Sequence, residues 1–205
     1  MNDKYQNILI HVKGFMEEIE GQGLYDTALK ASTNGPCLEI GSYCGKSTIY
    51  IGSACKETQQ VLFSIDHHRG SEEQQPGEDY YDPDLFDAAT QQIDTFKFFR
   101  QTLSQAGLEN TVVPIVSYSH IAAKAWKTPL SFVFIDGSHT FESARMDYAC
   151  WTPHIIPGGY LVIHDIFPDP AMGGQAPFDI YSRALSSGQF VQEKMIKTLG
   201  ILKKM

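Results

Sequence analysis

Short apolar runs alternate with amphipathic segments along most of the chain. The apolar runs cover residues 36–40, 60–66, 111–116, 131–135 and 160–163. The last two, SFVFI and YLVI, are almost uniformly apolar, as strands that are covered on both faces must be. The segments between the runs carry apolar residues at helical spacing. This alternation predicts βαβ units arranged around a mostly parallel sheet.

Both ends of the chain depart from this alternation. Residues 1–33 carry apolar positions at helical spacing, among them Ile8, Val12 and Leu24, and this spacing predicts N-terminal helices. The C-terminal stretch FVQEKMIKTLGILKK predicts two short strands with a turn near Lys197. We therefore expect an antiparallel hairpin at one edge of the sheet.

Residues 67–90 interrupt the pattern with a polar, acid-rich segment that holds two prolines. An ordinary connection between a strand and a helix needs only about two to six residues. The segment is therefore expected to be either a functional loop over the active site or a disordered one. Its aromatic residues Tyr80, Tyr81 and Phe86 could form a lid over an aromatic or glycosidic substrate, or fold back on the core.

The composition is that of an ordinary globular chain, and we expect a single domain over residues 1–205. Hydrophobic residues make up 42% and charged residues 20% of the chain, which excludes a disordered or fibrous protein. The net charge of -8, without a cluster of Lys and Arg, argues against nucleic acid as a partner. The sequence has neither a signal-peptide pattern nor an apolar run of about 20 residues, so we expect a cytoplasmic protein that does not bind membranes.

A glycine turn follows the first predicted strand, in the segment EIGSYCGKS at residues 39–47. Glycine lets a ligand approach the backbone, and the N-terminus of the following helix offers free N–H groups. The spacing matches neither the phosphate loop nor the full dinucleotide fingerprint. Asp66 ends the second strand, where an acid can accept hydrogen bonds from ribose hydroxyls, although Asp also favours helix N-caps. The two features together favour a nucleoside ligand.

Four segments of the chain resemble class I S-adenosylmethionine (SAM)-dependent methyltransferases. The segments are CLEIGSYCGKST, SIDHH, FIDGSHTFESARMDY and WTPHIIPGGYLVIHD, and they occur in the order found in that family. The similarity covers about residues 20–205 and points to the branch related to macrocin O-methyltransferase, cephalosporin hydroxylase and the catechol-type O-methyltransferases. The resemblance implies a Rossmann-like, doubly wound α/β fold of three layers. Its mostly parallel seven-stranded sheet would have the strand order 3-2-1-4-5 and an antiparallel C-terminal hairpin.

The resemblance also implies which residues bind SAM. Asp66 would bind the ribose hydroxyls, and His67 opens the insertion at the edge of the same crevice. Ser119 and His120 lie in a segment that contacts adenine in relatives, although they could equally form an ordinary polar turn. The residues implied for the methionine and ribose part of SAM are Glu39, Gly41, Ser42 and Gly45.

Asp136 and Asp165 end neighbouring predicted strands, so their carboxylates should meet in the crevice at the carboxyl end of the sheet. In metal-dependent relatives these positions hold a divalent cation that orients a substrate hydroxyl and lowers its pKa. In this sequence Ile166 stands where the catechol type has an amide ligand, and His164 replaces an acid of the hydroxylase type. Both departures speak against Mg²⁺, since nitrogen ligands suit transition metals better. Two arrangements stay open: a metal bound by Asp136, His164 and Asp165, or a site in which Asp136 contacts the cofactor and His164 packs.

Catalysis of methyl transfer requires that an oxygen nucleophile is aligned and loses its proton. His139 is the first candidate for the base, because imidazole titrates near neutral pH. His164 is the second, and Asp136 completes the candidate catalytic set; each histidine could instead be structural. The predicted reaction is methyl transfer from SAM to a hydroxyl of a small molecule, and a homodimer is left open.

Two other functions stay open at this stage. One is a protein with the SAM-binding fold that does not methylate, either a binding module or a relative of the hydroxylase. The other is an NAD-dependent oxidoreductase, which would need a tighter glycine fingerprint than this chain has. Titration with SAM and with NAD separates these functions.

Overall fold

Seven strands form one sheet in the computed structural model, which describes residues 3–205. Two further short strands pair with each other in the insertion. The strands are β1 (Cys37–Ile40), β2 (Leu62–Asp66), β3 (Phe86–Asp87), β4 (Gln92–Ile93), β5 (Val112–Val116), β6 (Leu130–Ile135), β7 (Ile155–Ile163), β8 (Phe190–Ile196) and β9 (Leu199–Lys204). The helices are α1 (Asp3–Leu9), α2 (Glu18–Ala31), α3 (Lys46–Glu57), α4 (Phe96–Ala106), α5 (Ser119–Ala123), α6 (Phe141–Trp151) and α7 (Ala176–Ser186).

The large sheet has the order β5-β2-β1-β6-β7-β9-β8. The five strands from β5 to β7 in this order run parallel, and β9 pairs antiparallel with both β7 and β8. The predicted order 3-2-1-4-5 of the parallel strands is therefore confirmed. The predicted C-terminal hairpin is confirmed as well, and Lys197 adopts a left-handed conformation (φ 50°) at its turn.

Both faces of the central strands are buried, which explains their apolar sequences. Phe132 and Phe134 of β6 pack into the hydrophobic cluster that includes α2, α3 and α4. Val133 and Ile135 of the same strand pack into the cluster that includes α6 and α7. Because successive side chains of a strand point to opposite faces, the molecule has a layer of helices on each side of the sheet. This arrangement leaves the carboxyl ends of the parallel strands at one common edge.

The N-terminal residues form two helices, joined by residues 10–17. The predicted N-terminal helices fall within residues 3–31, and Met1 and Asn2 lie outside the described residues. α2 packs against α3 and buries an acidic side chain, Glu20, beside Leu24 and Ala28. In the described part of the chain, every helix is too short or too polar to cross a bilayer.

The insertion after β2 folds into short elements. It forms single turns of 3-10 helix at Glu72–Gln74 and Pro83–Leu85, and then the hairpin of β3 and β4. Leu85 and Ile93 are buried with Cys44 in a small hydrophobic cluster of their own. The insertion is thus anchored to the body of the molecule by its second half.

The helix after the insertion begins later than the helical spacing of its apolar residues, which starts near Ile93, would place it. Apolar periodicity resumes near Ile93, but Ile93 belongs to β4, and α4 begins at Phe96. The side chain of Asp94 accepts a hydrogen bond from the backbone N–H of Phe96 at 3.0 Å, which marks the first turn of the helix. A buried strand residue and a buried helix residue are alike in polarity, so the boundary was not readable from the pattern.

The three aromatic residues of the insertion divide between the two predicted roles. Tyr81 and Phe86 pack against the small cluster, with ring centroids 6.4 Å apart. Tyr80 is 51% exposed and makes an edge contact with the ring of Phe15, with centroids 5.3 Å apart. Two of the aromatic residues therefore fold back on the core, and only Tyr80 is left as part of a lid.

Replacing Gly41 tests the close approach of the β1 and β6 ends. Gly41 has a φ of 84°, and a Cβ at this position would lie 2.0 Å from the carbonyl oxygen of Asp136. Gly158 has a similar φ of 79° with open space around it. We expect Gly158→Ala to cost about 1–2 kcal/mol of backbone strain, and Gly41→Ala to cost roughly 1–3 kcal/mol more because the backbone must shift. Urea denaturation of both variants measures the difference, and equal losses would contradict the close approach.

Candidate active site

A cavity of about 930 Å³ opens at the carboxyl ends of the parallel strands. The turns after β1, β2, β6 and β7 form its floor, which is where ligands bind in open α/β sheets. Residues 13–16 and the first part of the insertion, residues 69–75 with Tyr80, also line it and are called the cover below. The volume lies in the range of ligand pockets, about 300–1,000 Å³.

The glycine turn after β1 borders this cavity and carries an unpaired polar atom. Gly41 and Ser42 both line the cavity, and Ser42 is 3% exposed. The Oγ of Ser42 is buried and has no hydrogen-bond partner among residues 3–205. A buried hydroxyl without a partner costs free energy unless a ligand or water pairs with it. The Ser42 hydroxyl is therefore a polar group at the border of the cavity that still lacks a partner within the described part of the chain.

Asp66 joins the glycine turn to the turn after β2. Its carboxylate accepts hydrogen bonds from the backbone N–H groups of Ser42 at 2.9 Å, Tyr43 at 2.8 Å and His68 at 2.7 Å. The next α-helix along the chain begins only at Phe96, and the first 3-10 turn begins at Glu72, so Asp66 caps neither. Each carboxylate oxygen has two lone pairs, so Asp66 can still accept a hydrogen bond from a ligand hydroxyl.

Glu39 lies behind the glycine turn and does not line the cavity. It is fully buried and accepts hydrogen bonds from the hydroxyls of Ser47 at 3.1 Å, Ser64 at 2.8 Å and Thr48. Burial raises the pKa of Glu39 to about 7, against the opposing effect of these hydrogen bonds. Glu39 thus ties β1 to α3 and β2, and its place is structural support for the turn.

Gly45 also lies behind the turn, at the N-terminus of α3, with a φ of 94°. A Cβ at Gly45 would lie 3.0 Å from the side chain of Thr102. The geometry therefore separates the residues implied for SAM into two groups. Glu39 and Gly45 shape the turn from behind, whereas the residues that line the cavity are Gly41, Ser42, Asp66, His67, Ser119, His120 and Asp136.

Aromatic rings line the end of the cavity between the turns after β2 and β5. The rings of His67 and Tyr118 lie 4.6 Å apart, and those of Tyr118 and His120 lie 5.8 Å apart. The hydroxyl of Ser119 donates to the carboxylate of Asp147 on α6. Burial raises the pKa of Asp147 to about 6, although the bond from Ser119 opposes this shift. Sequence reasoning passed over Tyr118, which stands directly before Ser119, and Asp147, which stands inside one of the four segments that carried the resemblance.

Asp136, His139 and Asp165 meet at the other end of the cavity. Each offers a possible metal-ligand atom, and these atoms all lie within 4.8 Å of one another. The Nε2 of His139 is 3.3 Å from Asp165 Oδ2, and its Nδ1 is 3.4 Å from Glu73 Oε2 in the insertion. The hydrogen bond with Asp165 raises the pKa of His139, and the nearby charges of Asp165, Asp136 and Glu73 add to the rise. This end of the cavity therefore holds a histidine between two carboxylates.

His164 lies below this group and is only 4% exposed. Its Nδ1 is 3.2 Å from Asp136 Oδ1, and its Nε2 is 3.3 Å from Glu20 Oε2 on α2. Glu20 is itself 3% exposed and also accepts hydrogen bonds from the N–H and hydroxyl of Thr198, at 2.9 and 2.7 Å. Burial alone would raise the pKa of Glu20, but the hydrogen bonds from His164 and Thr198 lower it to about 2.

Burial alone would lower the pKa of His164, but the charge of Asp136 and hydrogen bonds with Asp136, Asp165 and Glu20 raise it well above its ordinary value. His139, and not His164, completes the set of potential metal-ligand atoms with the two strand-end aspartates. Sequence reasoning missed Glu20 and Glu73. The only available signals were an acid on the apolar face of a helix and the general acidity of the insertion.

The cover is held over the cavity by charged and aromatic contacts. Lys13 Nζ lies 2.5 Å from Asp82 and 2.8 Å from Asp84 in the insertion. The hydroxyl of Ser138, after β6, donates to Glu72 at 2.9 Å. Together with the contact between Phe15 and Tyr80, these interactions connect the N-terminal segment, the insertion and the β6 end.

A Rossmann-like sheet with a ligand cavity at its carboxyl edge defines a class of nucleotide-binding and SAM-binding enzymes. Within that class, residues 38–166 match the family described as a methyltransferase domain. The match covers more than half of the chain, so the chain belongs to this family. The resemblance of the four sequence segments to class I methyltransferases is thereby confirmed.

Solved methyltransferase structures superpose on nearly the whole chain. The O-methyltransferase of Bacillus cereus in complex with SAH is 13% identical, with a TM-score of 0.67 over 100% of this chain and 92% of that chain. The SAH-bound methyltransferase PaMTH1 of Podospora anserina is 12% identical, with a TM-score of 0.70 over 100% and 89%. The O-methyltransferase TomG of Streptomyces achromogenes, involved in tomaymycin synthesis and in complex with SAM, is 14% identical, with a TM-score of 0.62 over 99% and 88%. At these identities the likeness is one of fold.

Replacing Glu39 by glutamine tests the buried carboxyl behind the glycine turn. The pKa of Glu39 is raised in the folded protein, so the wild type loses stability as the pH rises from the ordinary glutamate pKa through about 7. Glutamine does not ionise, so Glu39→Gln is expected to be more stable than the wild type by about 1–3 kcal/mol above that range. The difference should vanish in mildly acidic buffer. Urea denaturation at both pH values, with the exposed Glu109→Gln as control, decides the point; a gain that does not depend on pH would contradict it.

Proposed function

We propose that this protein transfers a methyl group from SAM to a hydroxyl oxygen of a small molecule. The observation that carries the proposal is the junction of the glycine turn with Asp66, which sets this turn and its unpaired Ser42 hydroxyl at the border of a cavity that also holds His139. One end of the cavity would thus bind the nucleoside, and the other end would hold the base His139.

The residues that would hold SAM follow from where they lie in the cavity. The hydroxyl of Ser42 would pair with a polar group of the methionine part, and Asp66 would accept hydrogen bonds from the ribose hydroxyls. The rings of His67 and Tyr118, with Ser119 and His120, would contact the adenine. When bound, SAM supplies a methyl group activated by a positively charged sulfur.

His139 would remove the proton of the acceptor hydroxyl. A neutral imidazole accepts a proton at one ring nitrogen, and the carboxylates of Asp165 and Glu73 stabilise the imidazolium that results. Asp136 adds a further negative charge beside the ring. With an acceptor bound, the cover would shield this end of the cavity from water, which would favour transfer to the acceptor over loss of the methyl group to water.

Titration of the purified protein, freed of carried-over ligand, tests the proposal first. We expect calorimetric binding of SAM and of S-adenosylhomocysteine, and no binding of NAD. Binding should be followed by methyl transfer to members of a panel of hydroxylated small molecules, detected by mass spectrometry. Binding without turnover on any acceptor would favour a non-methylating protein with this fold, and binding of NAD alone would favour the oxidoreductase.

The Asp66→Ala variant measures the ribose contact. We expect its SAM affinity to fall by roughly 1–3 kcal/mol, the scale of lost buried hydrogen bonds. Asp87→Ala is a matched control, because Asp87 also accepts a backbone hydrogen bond in a turn, 2.9 Å from the Ala89 N–H, but lies outside the cavity. Thermal melting of both variants separates lost binding from lost folding. Unchanged SAM affinity in a folded Asp66→Ala protein would contradict the assignment.

The His139→Ala variant and the pH profile of the wild type measure the base. We expect His139→Ala to lower kcat by roughly 10²–10⁴-fold, the usual contribution of a general base, with SAM affinity unchanged. Because neighbouring carboxylates raise the pKa of His139, the wild-type kcat should rise with pH through a midpoint above the ordinary histidine pKa. His11→Gln, at an exposed position on the N-terminal segment, is the control. A rate that His139→Ala leaves unaltered would eliminate this base.

The partner, the cellular location and the oligomeric state of the protein are further parts of what we propose. The net charge of -8 supports a free small molecule rather than nucleic acid as the partner. A cytoplasmic location and a homodimer stay predictions, which fractionation of cells and light scattering of the purified protein would test.

A further inference from the structure

One buried histidine of the site is surrounded by carboxylates. His164 Nδ1 lies 3.2 Å from Asp136 Oδ1 and 3.5 Å from Asp165 Oδ2, and its Nε2 lies 3.3 Å from Glu20 Oε2. These three acids come from three elements: α2, the end of β6 and the end of β7. The uncharged ring of Phe134 also lies near His164, with centroids 6.4 Å apart.

This geometry defines the charge of His164. A neutral imidazole has one N–H donor and one acceptor nitrogen, whereas an ionised carboxylate can only accept. Both ring nitrogens of His164 face carboxylate oxygens, and at 4% exposure no water replaces these partners, so both nitrogens must carry a proton for the contacts to be favourable. His139 also lies between two carboxylates, but its side chain is 28% exposed, so water can pair with a neutral ring there. His164 is therefore an imidazolium, and a cation is already built into the cluster of acids.

The imidazolium of His164 competes with a divalent cation for the oxygens of this arrangement. Asp136 and Asp165 would have to bind the divalent cation together with His139, the third residue whose ligand atom lies within 4.8 Å of theirs. The imidazolium of His164 already lies against oxygens of both aspartates, so a metal there would meet a like charge at short range. The side chain that follows Asp165 is the apolar Ile166, which is 3% exposed and packs in the core.

We infer that His164, held by Glu20, is a permanent internal cation that takes the place of a divalent metal between Asp136 and Asp165. The part that His164 plays in catalysis rests on the proposed function. The claim that His164 replaces a metal does not depend on that function. His164 and Glu20 are positioning residues: they hold the two aspartates, and through Asp165 they hold His139. Glu20 lies outside the family match at residues 38–166, so the N-terminal helix α2 completes the site.

The test is whether the protein binds a divalent cation before and after the internal cation is removed. The probe is Mn²⁺, which accepts both oxygen and nitrogen ligands, followed by the electron paramagnetic resonance signal of the free ion. The wild type, treated with chelator and dialysed, is expected to leave the signal of millimolar Mn²⁺ unchanged. The double variant Glu20→Gln/His164→Asp should bind Mn²⁺ at least about tenfold more tightly than the wild type.

His154→Asp is the matched control, because it makes the same substitution at a histidine in the turn before β7, away from the cavity. Thermal melting with and without Mn²⁺ shows whether each variant is folded. Stoichiometric Mn²⁺ binding by the wild type that Asp165→Asn abolishes would overturn the inference. A folded double variant that binds no Mn²⁺ would overturn it as well.

A second measurement observes the wild type and uses a variant only to assign the signal. Histidine labelled with ¹⁵N, observed near pH 8 where ordinary histidines are neutral, should give a His164 signal with both ring nitrogens protonated, assigned by its loss in His164→Asp. A His164 signal of a neutral tautomer would contradict the inference. Neither measurement uses SAM or an acceptor. Mn²⁺ binding and the protonation of His164 can therefore be interpreted even if the proposed function is wrong.

Discussion

The carboxylate of Asp66 holds together the two turns on which the cavity depends. It accepts hydrogen bonds from three backbone N–H groups, those of Ser42, Tyr43 and His68. Backbone donors in a tight turn need partners, and this carboxylate supplies them at the ends of both β1 and β2. The glycine turn also carries the unpaired Ser42 hydroxyl. The position of this hydroxyl at the border of the cavity therefore depends on Asp66.

Two buried glutamates show how the same group is used differently. Glu39 is surrounded by hydroxyls, and burial raises its pKa to about 7. Glu20 is almost as buried, but His164 and Thr198 lower its pKa to about 2. The difference is the imidazolium beside Glu20, since a buried charge persists only where an opposite charge and hydrogen bonds replace water. Glu39 therefore supports the fold, whereas Glu20 is an ionised carboxylate beside the charged groups of the site.

Local pattern was sufficient for most of the fold and for part of the site. The short apolar runs located the parallel strands, and the glycine turn and Asp66 were found because each stands at a strand end. Glu20 could not be found in this way, because its partner His164 is 144 positions along the chain. Glu73 could not be found either, because the insertion has no periodicity that would say which of its acids faces His139.

The sequence by itself determined the class of fold, the family and the segments that border the cavity, because these depend on residues close together in the chain. Only the tertiary structure decided which side chains share a contact. It moved Glu39 and Gly45 behind the turn, brought His139 between Asp165 and Glu73, and enclosed His164 among acids from three elements. Charges act through space over a few ångströms, whereas sequence spacing reports only distance along the chain.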